Sequence, residues 1–135
     1  RLGEVQLGFD TVEDILSGRG LETLYQLSTG GVLKASEICA TYKQNDGARS
    51  TCQLYGSLLA ELIRELALHY LPHNGIYLSG SVARGILETP ARAQVITSLT
   101  QEHPMRSTIE RMSLSVITDD AAALLGCLEI AKTNA

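Results

Sequence analysis

The sequence predicts an α/β fold: helices packed on a small, mostly parallel sheet. Three observations predict it. "GIYLSG" and "MSLSVIT" are short apolar runs of strand character. Each is followed by a helical pattern, and that βαβα order implies a parallel strand pair joined by a right-handed crossover. The third is size and balance. The chain has 135 residues, 44% hydrophobic and 19% charged, which suits one globular domain with a core that needs no disulfide or metal.

The elements follow in order. In "DTVEDILSG", Thr11 and Asp14 have capping-box spacing, and Val12, Ile15 and Leu16 then share a face. Gly18 and Gly20 interrupt that pattern, and Leu21, Leu24 and Tyr25 resume it, so a second short helix follows a glycine corner. "STGG" (Ser28 to Gly31) is a turn. Ser36 is placed to cap a short helix running through Thr41, and Asp46 to cap the next one. From Cys52 to Tyr70 an apolar stripe keeps helical spacing for about five turns. Pro72 and Gly75 end it. "GIYLSG" then reads as a strand buried on both faces, leading into a small-residue turn. Ala91 to Leu99 is helical, Pro104 breaks the chain, and Leu114 and Val116 share one face of the second strand. Asp119 or Asp120 caps a final helix, "AAALLGCLEIAKT".

Composition excludes several classes. The net charge is −4 and no basic stripe is present, so the electrostatic footprint of a nucleic-acid-binding protein is missing. Aromatics make up 4% with no Trp, too few for base-stacking platforms. No apolar run approaches the roughly 18 residues that span a bilayer. The opening "RLGEVQLGFD" lacks the apolar core of a signal peptide. It also lacks an initiator Met, so the chain is expected to be a piece of something longer. Cys39, Cys52 and Cys127 are odd in number and contain no CxxC, which argues against a disulfide framework or zinc knuckle. Buried free thiols in a reducing cytoplasm are expected.

"SGSVARG" is the stretch with most chemical promise. It is neither a Walker A loop nor a GxGxxG fingerprint. Ser79, Gly80 and Ser81 nevertheless fall at the carboxyl end of a parallel strand, where small side chains let a ligand approach backbone N–H groups. From the pattern alone, a merely tight turn explains them more simply than a ligand does. "LSGRGL" is similar: Gly18 and Gly20 permit an unusual backbone angle or close helix packing. His69 and His73 are four apart, but Pro72 separates them, and two imidazoles alone make a weak metal signal. Capping explains Asp46, Asp119 and Asp120 without acid–base chemistry.

The combination of "VEDILSGRGLETLY", "GIYLSGSVARGIL" and "LSVITDDAAALLGCLEIA" resembles the C-terminal part of bacterial glucokinases. That family shows an LSGPGL-like segment, a long helix, a GGIYLAGGI-like strand and turn, and a last strand leading to a GLLGA-like helix. The order and spacing match along nearly the whole chain. Three departures stand out. Ser79-Gly80-Ser81 replaces two consecutive glycines, Arg19 replaces a common Pro, and Ala123 replaces a glycine before Leu124-Leu125-Gly126.

The resemblance implies the sugar-kinase and actin-like ATPase fold, with two ribonuclease-H-like domains about a cleft. It also implies transfer of the γ-phosphoryl of ATP, with magnesium, to the 6-hydroxyl of glucose in the cytoplasm. Ser79, Gly80, Ser81 and Val82 then form the adenosine side of the cleft, with Gly80 closest to the nucleotide. Ser17 and Gly18 lie on the same side. The family's DxGGTN-like phosphate loop, its NDF-like catalytic Asp and its GTGxG-like loop do not occur in these 135 residues. Nor do its sugar-holding and magnesium-holding groups, so no catalytic residue is assigned here and the chain alone is expected to be inactive. A homodimer is the expected assembly. The competing reading is a stand-alone, noncatalytic domain for protein interaction or small-molecule sensing.

Overall fold

The computed structural model describes residues 9–101 and 106–133. The chain start and the expected break at Pro104 lie outside them. Eight helices and two strands follow in order: α1 Val12–Ile15, α2 Gly18–Thr29, α3 Ala35–Ala40, α4 Asp46–Tyr70, β1 Ile76–Leu78, α5 Ser81–Glu88, α6 Ala91–Leu99, α7 Arg106–Glu110, β2 Leu114–Val116 and α8 Ala122–Thr133. The strands pair in parallel, with Ile76 opposite Leu114 and Leu78 opposite Val116. Ile117 N donates to Leu78 O at 2.8 Å, so the pairing holds β1 to its last residue. An α/β arrangement with a small parallel sheet is therefore what forms.

The long helix α4 is the centre of the core. Its Cys52, Tyr55, Leu59 and Ile63 are buried against Leu21 and Tyr25 of α2, Ile38 of α3 and Ile86 of α5. Each such aliphatic or aromatic side chain contributes about 1.5–3 kcal/mol on burial. Helix α6 lies along the same helix and buries Val95. Ile76, Leu78 and Leu114 press on this core from the sheet.

The helix starts show how local chemistry chose the boundaries. At α1 the capping box forms: Thr11 N donates to Asp14 Oδ2 at 2.8 Å, and Asp14 N donates to Thr11 Oγ1 at 3.2 Å. Two expected caps are displaced by a neighbour. Helix α3 begins after Lys34, not at Ser36. Glu37 reaches back to accept from Lys34 N at 2.8 Å, and Glu22 accepts from Ala35 N at 3.1 Å, so carboxylates serve this end of the helix. Helix α4 is capped by Asn45 rather than Asp46. Asn45 Oδ1 accepts from Ala48 N at 3.1 Å, while its Nδ2 donates to Tyr25 OH at 3.0 Å. The Tyr25 bond fixes Asn45 to α2 and leaves Asp46 to pair outward with Arg49.

Other expectations need correction. The small-residue turn after β1 is shorter than expected, Ser79 and Gly80 alone, because α5 starts at Ser81. Helix α7 is likewise additional. Strand β1 is not buried on both faces: Tyr77 is 63% exposed, because nothing among the described residues covers that side of a two-stranded sheet. Cys52 is buried and Cys39 half-buried, but Cys127 is exposed, since α8 places no residue in the core.

Candidate functional site

The two small-residue stretches meet in space. Ser17 caps α2, its hydroxyl accepting from Gly20 N at 3.1 Å. Gly80 occupies the cap position of α5. A β-carbon on Gly18 would stand 3.5 Å from Val82 Cγ2, so the first turn of α5 rests on the start of α2. Two helix N-termini therefore converge at the carboxyl end of β1. The first amides of a helix have no intrahelical acceptor, and α5 has no side-chain cap to satisfy them. The result is a rim rich in free N–H donors with partial positive charge.

Gly80 combines a constrained backbone with open space. Its φ of 113° and ψ of 149° lie where essentially only glycine is found. With Ser79 it carries the chain from β1 into α5. A β-carbon there would meet nothing within 4 Å. The backbone angle demands the glycine, and the space beside it is open. Ser79 and Ser81 on either side are exposed, and Val82 is half-buried.

Gly18 differs from Gly20. At Gly18 a β-carbon fits at ordinary contact distance. At Gly20 it would overlap the carbonyl oxygens of Asp14 and Ile15. Gly20 thus lets α1 and α2 pack end to end, a structural duty that leaves Ser17 and Gly18 as the part of "LSGRGL" nearest α5.

Beside this rim is a cavity of about 410 Å³ between α3 and α5. Ser81 and Val82 form one wall, and Ala35, Ser36, Cys39 and Ala40 the other. Sequence reasoning missed the α3 wall. Its signal was present: four small residues at i, i+1, i+4 and i+5 make one small-residue face on a helix.

Arg84 holds the rim to the second strand. Its Nη1 donates to Thr118 O at 2.8 Å, and its Nη2 to Asp120 Oδ1 at 2.7 Å. The Asp120 carboxylate raises the Arg84 pKa above its ordinary value. Asp120 is thereby a partner of α5 rather than the cap of α8. Asp119 serves that turn, accepting from Ala121 N at 2.8 Å.

Among the described residues no group of three or more His, Cys, Asp or Glu is placed to hold a metal ion. His69 is in the last turn of α4 and packs edge-on against Tyr70, while His73 lies beyond the helix end. No helix among the described residues is long and apolar enough to cross a membrane.

Known proteins bear directly on this geometry. The glucokinase of Brucella abortus biovar 1 (strain 9-941) is 31% identical over 135 residues, a match covering 91% of this chain and 38% of that protein. The glucokinase of Agrobacterium fabrum is 27% identical with the same coverage. That of Nostoc punctiforme is 24% identical over 144 residues, covering 86% of this chain and 42% of its own length. The chain thus spans well under half the length of these relatives. In fold it is similar to the crystal structure of a glucokinase from an Antarctic psychrotroph, with a TM-score of 0.73 at 19% identity over 87% of this chain and 39% of that one. The sequence profile of the Glucokinase family matches residues 4–134, so the chain belongs to the Glucokinase family.

Proposed function

We propose that this chain is the C-terminal, nucleotide-side portion of an ATP-dependent glucokinase, a cytoplasmic enzyme that phosphorylates the 6-hydroxyl of glucose. One observation carries the reading: the α2 and α5 N-termini converge beside an open Gly80 at the carboxyl end of a parallel strand. Such an end of a parallel sheet is where α/β proteins place ligands.

In this reading the backbone at Gly80 lies against the adenosine, and its missing side chain leaves room for that approach. The hydroxyls of Ser79 and Ser81 and the free amides of the α5 first turn bind the polar atoms of the nucleoside. Val82 supplies the apolar contact, and Ser17 and Gly18 close the same side. ATP supplies the phosphoryl group, and the base that must reach the glucose hydroxyl belongs to segments outside this chain, as do the magnesium ligands. The role of these residues is positional: holding the nucleotide so that groups elsewhere can act accounts for much of phosphoryl-transfer catalysis. A homodimer remains the proposed assembly.

The test is amide NMR of the 135-residue chain titrated with ADP. The expected shifts are confined to Ser17, Gly18 and Ser79 to Val82. Shifts confined to other elements, or none at millimolar ADP, would sink the assignment. In parallel, the isolated chain is expected to release no ADP from ATP when glucose is added. Glucose-dependent release would show that the catalytic groups are here after all.

A further inference from the structure

We infer that the cavity between the end of α4 and α7 binds a small apolar molecule ending in a carboxylate, with Arg111 pairing the carboxylate and Leu71 contacting the apolar body. The cavity holds about 370 Å³, the size of a small-molecule pocket. Leu71, Pro72 and Met112 supply its apolar wall, and Thr108, His73 and Arg111 its polar groups. Pro72 and His73 precede β1, and Met112 precedes β2. The cavity therefore lies toward the amino ends of the strands, whereas Gly80 stands at the carboxyl end of β1.

The backbone marks this place. Leu71 has φ 45° and ψ 56°, and it is the one non-glycine residue with positive φ among the described residues. A bulky side chain is an outlier in that conformation. A helix that ends this way normally carries Gly or Asn at the left-handed position. Here Leu71 closes α4, its N donating to Ala67 O at 3.0 Å. Burial in the core does not account for a leucine at this position, because Leu71 is 49% exposed. An apolar ligand seated in the cavity covers that exposed side chain. Backbone strain of this kind gathers at ligand sites.

Arg111 sets the chemistry of the other end. It is the one permanently charged residue of the lining. Its Nε donates to Ser107 O at 3.0 Å, which ties the guanidinium to α7. Glu110 beside it pairs with Arg106 at 2.7 Å. Among the described residues no carboxylate pairs with Arg111. A guanidinium held in this way matches a planar carboxylate with two hydrogen bonds, and the Thr108 hydroxyl adds a donor on the same helix. One fixed positive charge in an otherwise apolar and neutral polar lining suits a ligand with one negative charge.

The experiment is a titration of the full polypeptide with hexanoate and, separately, with hexanol. It is followed at the Met112 methyl resonance, which Met112→Leu identifies. Both are expected to shift Met112, hexanoate about tenfold more tightly, as one charge-assisted pair would give. Arg111 is exposed, so Arg111→Met is expected to fold normally and to bind the two alike. Leu71→Gly relieves the backbone. It is expected to keep or raise the urea midpoint while weakening both ligands. No movement of Met112 at millimolar hexanoate, or equal affinities for hexanoate and hexanol in the wild type, overturns the inference. So does undiminished binding in Leu71→Gly. A lowered midpoint in that variant would show that Leu71 serves folding, and would overturn its place as the ligand contact. The wild-type comparison needs no variant, so a misfolded one does not blunt the test.

Discussion

Gly80, Tyr55 and Asp14 each turn a local environment into a measurable consequence. At Gly80 the φ of 113° excludes other side chains although the space is free. Gly80→Ala is expected to cost about 1–3 kcal/mol of stability from backbone strain, read as a lower urea midpoint with an unchanged slope. An unaltered midpoint would mean that the β1–α5 junction relaxes freely. The buried Tyr55 phenol is pushed from 10.0 up to about 12, mainly by burial and secondly by Cys39. The folded protein then keeps a proton that the unfolded chain loses. The stability from this group is full below about pH 10 and lost as pH rises through about 12. Tyr55→Phe is expected to flatten that alkaline decline in a pH series of denaturant melts. Asp14 has the opposite sign. The Thr11 hydroxyl, then the backbone amides of Thr11 and Asp10, hold its carboxyl below 3.8. Its contribution is present above the unfolded value and lost as pH falls through the lowered folded one. Carboxyl NMR should show the midpoint rising in Thr11→Val.

Helix α5 depends on side chains more distant in sequence than its own turn. Arg84 binds both Thr118 O and Asp120, fastening α5 to the segment between β2 and α8. The Asp120 partner is 85% exposed, so the ion pair itself contributes about 0–1 kcal/mol. The fork to a backbone carbonyl is the geometric constraint, and a lysine cannot reproduce it. Arg84→Met should therefore speed proteolytic cleavage between Thr118 and Ala122 more than Asp120→Asn does. Equal rates would show that the carboxylate alone holds the segment. The start of α2 is governed by exclusion: Gly20 allows the Asp14 and Ile15 carbonyls to come close. Gly20→Ala is expected to destabilise by roughly 1–3 kcal/mol, as overpacking does, whereas Gly18→Ala should fold normally.

Across the molecule, burial is uneven. Helix α4 contributes most of the buried face, whereas α8 contributes no buried residue. Leu124 is 74% exposed, and Leu125, Leu128 and Ile130 are exposed with it. Few buried contacts mean a low local opening free energy. Amide hydrogen exchange of the isolated chain is therefore expected to be fastest among the long helices in α8 and slowest in α4. Equal protection in the two would contradict the unpacked state of α8.

Local patterns determined much of this protein. The Cys52–Tyr70 stripe, the Thr11–Asp14 box, the strand pair and the Ala91–Leu99 helix were all legible, because each depends on periodicity or on partners a few residues apart. The Glucokinase resemblance was legible for the same reason, as four short motifs in order. Only the tertiary structure decided the rest. The choice of Asn45 over Asp46 as cap turned on Tyr25, twenty positions away. The start of α5 turned on one dihedral at Gly80 that no pattern announces. The exposure of Tyr77 and Cys127 turned on which faces the described elements cover. The meeting of Gly18 with Val82, and of Cys39 with the Ser81 wall, joins segments that are strangers in sequence. Hydrophobic patterning states which face of an element is buried, but not which other element covers it; that is settled by the packing of the assembled helices and strands.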